Sequence, residues 1–204
     1  MADDKLEPDS LESDRSIGIA VLGMGNVGAE VVRIITDNAA DLQSRVGAPV
    51  RLRGVAVRDL SRPRKIAQEL LTDDPESLVA RDDVDIVVEL MGGIDPARGL
   101  IRAALEAGKS VVTANKALLA EYTGELATAA AQAKVDLYFE AAVAGAIPVV
   151  RPLMQSLAGD TVERVAGIVN GTTNFILSEM DETGADYYAT LAEAGRLGYA
   201  EADP

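Results

Sequence analysis

IGIAVLGMGNVG, residues 17–28, joins a short apolar run to three glycines, Gly23, Gly25 and Gly28. The run IGIAVL is β-branched at Ile17, Ile19 and Val21 and is stopped by glycine, the pattern of a strand buried on both faces. Beyond the glycines, Val27, Val31, Ile34 and Ile35 recur at helical spacing. Strand, glycine turn and helix in that order supply the context that a G-x-G-x-x-G motif needs to hold a dinucleotide. Gly23 permits the tight turn and Gly25 lets the backbone approach a diphosphate. Gly28 lets the helix pack closely, and the amides of Asn26, Val27 and Gly28 open the helix toward the anion.

Further strands are expected at VRLRGVAV (50–57), DIVVEL (85–90), SVVTA (110–114) and VDLYFEAAV (135–143). Helical segments separate them. PARGLIRAALEAG begins at Pro96 and stops at Gly108, and LLAEYTGELATAAAQA begins at Leu118. This alternation implies an α/β fold, a doubly wound, Rossmann-like parallel sheet. After Gly145 the texture changes: IPVVRPLMQSL carries two prolines, then TVERVAGIVN reads as a strand and NGTTNFILSEM as a turn and helix. We therefore expect an acidic solvated tail over 1–15, a nucleotide-binding domain over 16–144, and the start of an α+β substrate domain over 145–204. The longer than usual interval from Gly28 to the end of the second strand is assigned to an extended first helix and a loop through Arg45 and Gly47.

Composition narrows the chemistry. The 204 residues carry 19 Lys+Arg against 33 Asp+Glu, a net charge of -14, which argues against nucleic-acid or anionic-membrane binding. The absence of cysteine and histidine removes disulfides, thiolate or imidazole metal sites and Ser-His or Cys-His nucleophiles. No apolar run is long enough for a membrane helix, and the tail is neither a secretory nor a mitochondrial signal, so a cytoplasmic location is expected.

The end of the second strand selects between coenzymes, because an acid there suits the ribose 2′-hydroxyl of NAD and an arginine the 2′-phosphate of NADP. Here the sequence reads Arg58-Asp59, and six bases stand against one acid between Arg51 and Lys65. NADP is therefore favoured through Arg58, with NAD admitted through Asp59. MGG (91–93) and TANK (113–116) end two later strands, which puts Gly92, Asn115 and Lys116 at the carboxyl edge where such folds bind ligands.

Six segments in order resemble homoserine dehydrogenase: GMGNVG, VELMGG (88–93), VVTANKALLA (111–120), EAAVAGAIPVVRPL (140–153), NGTTNFIL (170–177) and GYAEADP (198–204). The resemblance implies NAD(P)-dependent oxidation of L-homoserine to L-aspartate 4-semialdehyde, or the reverse reduction, on the route to threonine and methionine. It implies a homodimer or larger oligomer formed through the second domain. It also implies that Lys116 is the active-site lysine, Glu201 the ligand of the substrate amine, Gly171 and Thr172 the substrate-pocket turn, and Gly198 a coenzyme neighbour. A monovalent cation such as sodium would be held by Glu140 and the backbone oxygens of Val143, Gly145 and Ile147. The family motif continues beyond GYAEADP, so the chain reads as an N-terminal part without turnover of its own, and with exposed apolar surface that favours association. A non-catalytic dinucleotide-binding module is the alternative from a different functional class.

Overall fold

The computed structural model describes residues 16–145, 147–168 and 170–199; the acidic tail and Glu201 lie outside them. The chain divides into two compact units, the first ending at Tyr138 and the second beginning at Phe139. The division thus falls six residues ahead of the expected one after Ala144.

The first unit is built on six parallel strands, β1 (Ile17–Leu22), β2 (Val50–Ala56), β3 (Leu71–Thr72), β4 (Ile86–Glu89), β5 (Ser110–Thr113) and β6 (Leu137–Tyr138). Their spatial order is β3-β2-β1-β4-β5-β6. The chain runs outward from β1 in one direction and then returns to start outward again from β4. The crevice between the carboxyl ends of β1 and β4 is therefore the switch point at which open α/β sheets bind ligands.

Two apolar layers sandwich this sheet. On one face α3 (Pro75–Ala80), α4 (Ala97–Glu106) and α5 (Lys116–Ala133) close over Ala20, Leu22, Val87 and Val111. There Ile101, Leu105, Leu118 and Leu126 are wholly buried. Arg98 of α4 fixes the α4–α5 packing by lying 4.0 Å from the Tyr122 ring centre and pairing with Glu125. On the other face α1 (Asn26–Asp37) covers Val21, Val55 and Val88 through Val32 and Ile35. Ile19, Ile86 and Val112 on that face are only half-buried.

Local differences from the sequence expectation have physical causes. The first helix does not run on; it yields at Asn38 to α2 (Ala39–Val46), which ends at Gly47 in the left-handed region. The amide of Asn38 still donates to Ile34 and its carbonyl accepts from Leu42, so Asn38 links the two helices as the chain turns. Only Leu137–Tyr138 of VDLYFEAAV pairs as strand, and Glu140–Ala142 forms a 3₁₀ turn. Strand β3 and helix α3 fall between the expected strands at 50–57 and 85–90, where the sequence singled out no particular element.

In the second unit a π-helical segment, Pro152–Ser156, precedes α6 (Gly171–Thr183) and α7 (Tyr187–Leu197). Residues 161–168, expected to be a strand, have no regular structure, because no partner strand is present among the described residues. Among those residues no helix is long and apolar enough to cross a membrane.

Candidate functional site

The three glycines of the motif carry three different constraints. Gly23 has φ +99°, and a side chain there would press on the Leu90 carbonyl at 2.8 Å, so it is confined by both conformation and the turn after β4. A Cβ on Gly28 would lie 2.1 Å from the Gly23 oxygen, which fixes how closely α1 approaches the first turn. Gly25 is the opposite case: a Cβ there meets nothing within 4 Å. Space beside Gly25 is thus left open on the outer side of the turn, as close approach of a ligand to the backbone requires.

Gly25 also caps α1 without a side chain, and the first turn holds no acid. The first intrahelical bond at this end is Ala29 to the Gly25 carbonyl, so the amides of Asn26, Val27 and Gly28 have no acceptor among the described residues. Unpaired amides at the positive end of a helix form an anion site. Val27 is 61 % exposed while Gly28 is buried, so the open side of the turn faces solvent.

Arg58 follows β2 by two residues and is exposed at the same carboxyl edge. Asp59 beside it is engaged locally: its Oδ1 accepts from the Ser61 hydroxyl at 2.6 Å and the Ser61 amide at 2.9 Å. Those bonds, the hydroxyl's first, hold the Asp59 carboxyl below the usual aspartate range. Arg64 stiffens the loop by donating to the carbonyls of Asp59 and Arg62 at 2.7 and 3.0 Å. The basic cluster seen in the sequence is divided by the fold. Arg51 and Arg53 sit in the amino-terminal half of β2, where Arg53 bonds Ser16 and faces Asp83, while Arg58, Arg62, Arg64 and Lys65 gather beyond its carboxyl end.

Across the switch point, Gly92 and Gly93 both adopt left-handed φ, at +72° and +76°, after β4. Asn115 is 5 % exposed and bridges this loop to α5: its Nδ2 donates to the Gly93 carbonyl at 2.6 Å, and its Oδ1 caps the Leu118 amide at 3.1 Å. Lys116 is the next residue, the first of α5, and is exposed at that edge. Gly23, Gly25, Asn26, Val27, Gly28, Arg58, Gly92, Asn115 and Lys116 therefore all occupy one edge of one sheet.

Sequence reasoning missed Glu89 and Thr113, both fully buried beneath this edge. The available signal was an acid in an otherwise apolar strand, DIVVEL.

In the second unit, the side chain of Asn170 caps α6 by accepting from the Thr173 amide at 2.8 Å, which places Gly171 and Thr172 in the first turn. The Thr172 hydroxyl donates to the Tyr199 carbonyl, and the Phe175 and Tyr199 rings lie 5.0 Å apart. Gly198 ends α7 at φ +79°, so the NGTT turn and the start of GYAEADP are brought together.

Glu140 accepts amides from Val149 and Val150 on Oε1, at 2.6 and 2.9 Å, and from Arg151 on Oε2 at 2.8 Å. These amides, Arg151's foremost, hold its carboxyl below the usual glutamate range. With two lone pairs per carboxylate oxygen, only Oε2 retains one. Val143 donates to the Glu140 carbonyl, Ile147 to that of Ala144, and Gly145 has φ +62°, so the segment folds back on itself. Among the described residues no group of three acidic side chains could hold a metal ion.

The family model for the NAD-binding domain of homoserine dehydrogenase matches residues 23–140, and that for homoserine dehydrogenase matches residues 148–204. The chain belongs to the homoserine dehydrogenase family. It is 70% identical over 191 residues to a homoserine dehydrogenase of Mycobacterium tuberculosis, covering 94% of this chain and 43% of the relative. Against that of Corynebacterium glutamicum the identity is 63% over 190 residues, covering 93% and 43%. The chain thus spans less than half the length of these relatives. Among solved structures, a homoserine dehydrogenase from Thiobacillus denitrificans superimposes with a TM-score of 0.85 at 46% identity, over 93% of this chain and 44% of that one. A hyperthermophilic archaeal homoserine dehydrogenase in complex with NADPH matches with a TM-score of 0.76 at 27% identity, over 93% and 63%. Residues 23–140 are thus the NAD-binding domain of this family.

Proposed function

We propose that this chain supplies the coenzyme half and the beginning of the substrate half of an NADP-preferring homoserine dehydrogenase. The observation that carries the reading is the uncapped, outward-facing turn at Gly25, set at the switch point of the sheet. The amides of Asn26, Val27 and Gly28 would receive the diphosphate, and Arg58 the 2′-phosphate. The Ser61 bonds fall on Oδ1 of Asp59 alone, so NAD stays admissible there and the preference for NADP rests on Arg58. Gly92, Asn115 and Lys116 would flank the nicotinamide end.

Bound coenzyme supplies the hydride acceptor. In oxidation the hydroxyl-bearing carbon of L-homoserine gives up a hydride as its oxygen gives up a proton, leaving the aldehyde of L-aspartate 4-semialdehyde. Lys116 would take that proton in its amine form and return it in the reverse reduction. Glu201 would pair with the substrate ammonium and Gly171 and Thr172 would border the pocket, with Gly198 toward the coenzyme. A hard monovalent cation fits the carbonyl-rich 143–147 segment only with Glu140 as a one-oxygen ligand, since its other acceptor sites are filled by amides. Assembly as a homodimer and a place in threonine and methionine synthesis belong to the same proposal.

The test is a chimera in which this chain continues past Pro204 into the remainder of the 70%-identical relative. Homoserine-dependent reduction of NADP, lost in Lys116→Ala, is the expected result. In Arg58→Ala the NADP/NAD preference should fall about tenfold, the scale of one charge-assisted contact. Coenzyme binding without turnover would favour a non-catalytic module instead.

A further inference from the structure

A run of buried and partly buried hydrogen bonds lies under the two loops assigned above to the nicotinamide, and the proposed chemistry gives no role to its members Glu89 and Thr113. Glu89 ends β4 with no solvent exposure and makes no ion pair among the described residues. Its Oε1 accepts the amides of Met91 at 2.8 Å and Gly92 at 3.3 Å. Its Oε2 accepts the Thr113 hydroxyl at 2.6 Å. Thr113, paired with Glu89 in the β4–β5 register, in turn accepts the Asn115 amide at 3.1 Å. Asn115 closes the ring by donating to Gly93.

The polarity of this run is fixed. A backbone amide can only donate, so Thr113 Oγ1 must accept from Asn115 and has its own proton left for Glu89. Glu89 therefore accepts three bonds and donates none, a task that suits a carboxylate and no other side chain of its length. Glutamine would either turn its NH₂ toward two amide donors or present it to Thr113 and leave the hydroxyl proton without an acceptor. An apolar residue would strand the buried Thr113 hydroxyl and take the acceptor from the Met91 and Gly92 amides.

We propose that Glu89, acting through Thr113, is a positioning residue for the nicotinamide end of the coenzyme site. It ties the loop after β4 (Met91–Gly93) to the loop after β5 (Ala114–Asn115), and so sets where Lys116 begins α5. The inference rests on the dinucleotide reading of the preceding subsection. It adds a distinction that this reading does not contain: the diphosphate is gripped at the end of β1, whereas Glu89 governs the ends of β4 and β5. Loosening the network should therefore disturb one end of the coenzyme and spare the other.

The experiment uses this chain with two ligands, NADPH and 2′-phospho-ADP-ribose, which is the same molecule without its nicotinamide. Thr113→Val removes the hydroxyl at nearly constant volume, strands the Asn115 amide and leaves Oε2 unpaired. NADPH affinity, read from the fluorescence of its reduced ring, should fall about tenfold, the equivalent of a buried hydrogen bond. The ring emission should move toward that of free NADPH. Affinity for 2′-phospho-ADP-ribose, read by calorimetry, should stay within about twofold, and Thr113→Ser should restore both signals. Glu89→Gln should give the same split and decides the matter where Thr113→Val does not fold. Equal weakening of both ligands, or no change in either, overturns the proposal while leaving the coenzyme site standing. Failure of the unsubstituted chain to bind NADPH overturns the coenzyme site itself, and this inference with it.

Discussion

The two units are built from one chain but hold their apolar residues in opposite ways. In the first, a sheet between helical layers buries nearly all the apolar side chains that are shielded from solvent; only Ile176 and Ala194 of the second unit join them among the described residues. The second instead displays Ile147, Met154, Leu157, Val165, Ile168, Leu177, Tyr188 and Tyr199. Hydrophobicity alone therefore does not make a core. What separates the units is pairing: parallel strands bring distant segments into register and present two continuous faces to cover, whereas two helices and an irregular stretch enclose almost nothing.

The largest effect should come from separating the units. A polypeptide ending at Tyr138 is expected to unfold in one cooperative urea transition, while residues 139–204 alone should show none; a sigmoidal transition in the latter would break the contrast. Next in size is Gly18→Ala. A Cβ there would lie 1.8 Å from the Asp83 carbonyl, backbone against backbone, so the first unit should lose about 3 kcal/mol in urea unfolding. The smallest effect sharpens the comparison from the other side. The folded-state value of Glu140 is depressed by the amides of Arg151, Val149 and Val150, so its contribution is present above the unfolded glutamate value and lost as pH falls through the folded one. Acid titration below about pH 4.3, the unperturbed glutamate value, should loosen the start of the second unit. Glu140→Gln should flatten that acid response, measured by amide exchange at Val149–Arg151.

Much of this was legible in the sequence where a residue's neighbours along the chain determine its role. IGIAVL followed by GMGNVG implied a buried strand, a turn and a helix, and the fold bears that out. Legibility failed where the deciding partner is distant. Strand β3 is two residues long and too short to show a period, and exists because Val55 and Ala56 pair with it. VDLYFEAAV has a strand's composition, yet Glu140 accepts three amides nine to eleven residues on, within the second unit. Glu89 was passed over in its apolar run because its three donors come from β5 and the loop after β4, which meet only in the folded chain. The family resemblance pointed to Lys116 and the strand end at TANK to Asn115, but neither told what holds them in place.

The glycines at 23, 25 and 28 are chemically identical, yet a saturation library would sort them into two classes. Scored by abundance of folded protein, alanine at 28 should be depleted by its collision with the Gly23 carbonyl, and alanine at 25 should pass unnoticed. Only a screen that selects for an occupied crevice would register the second.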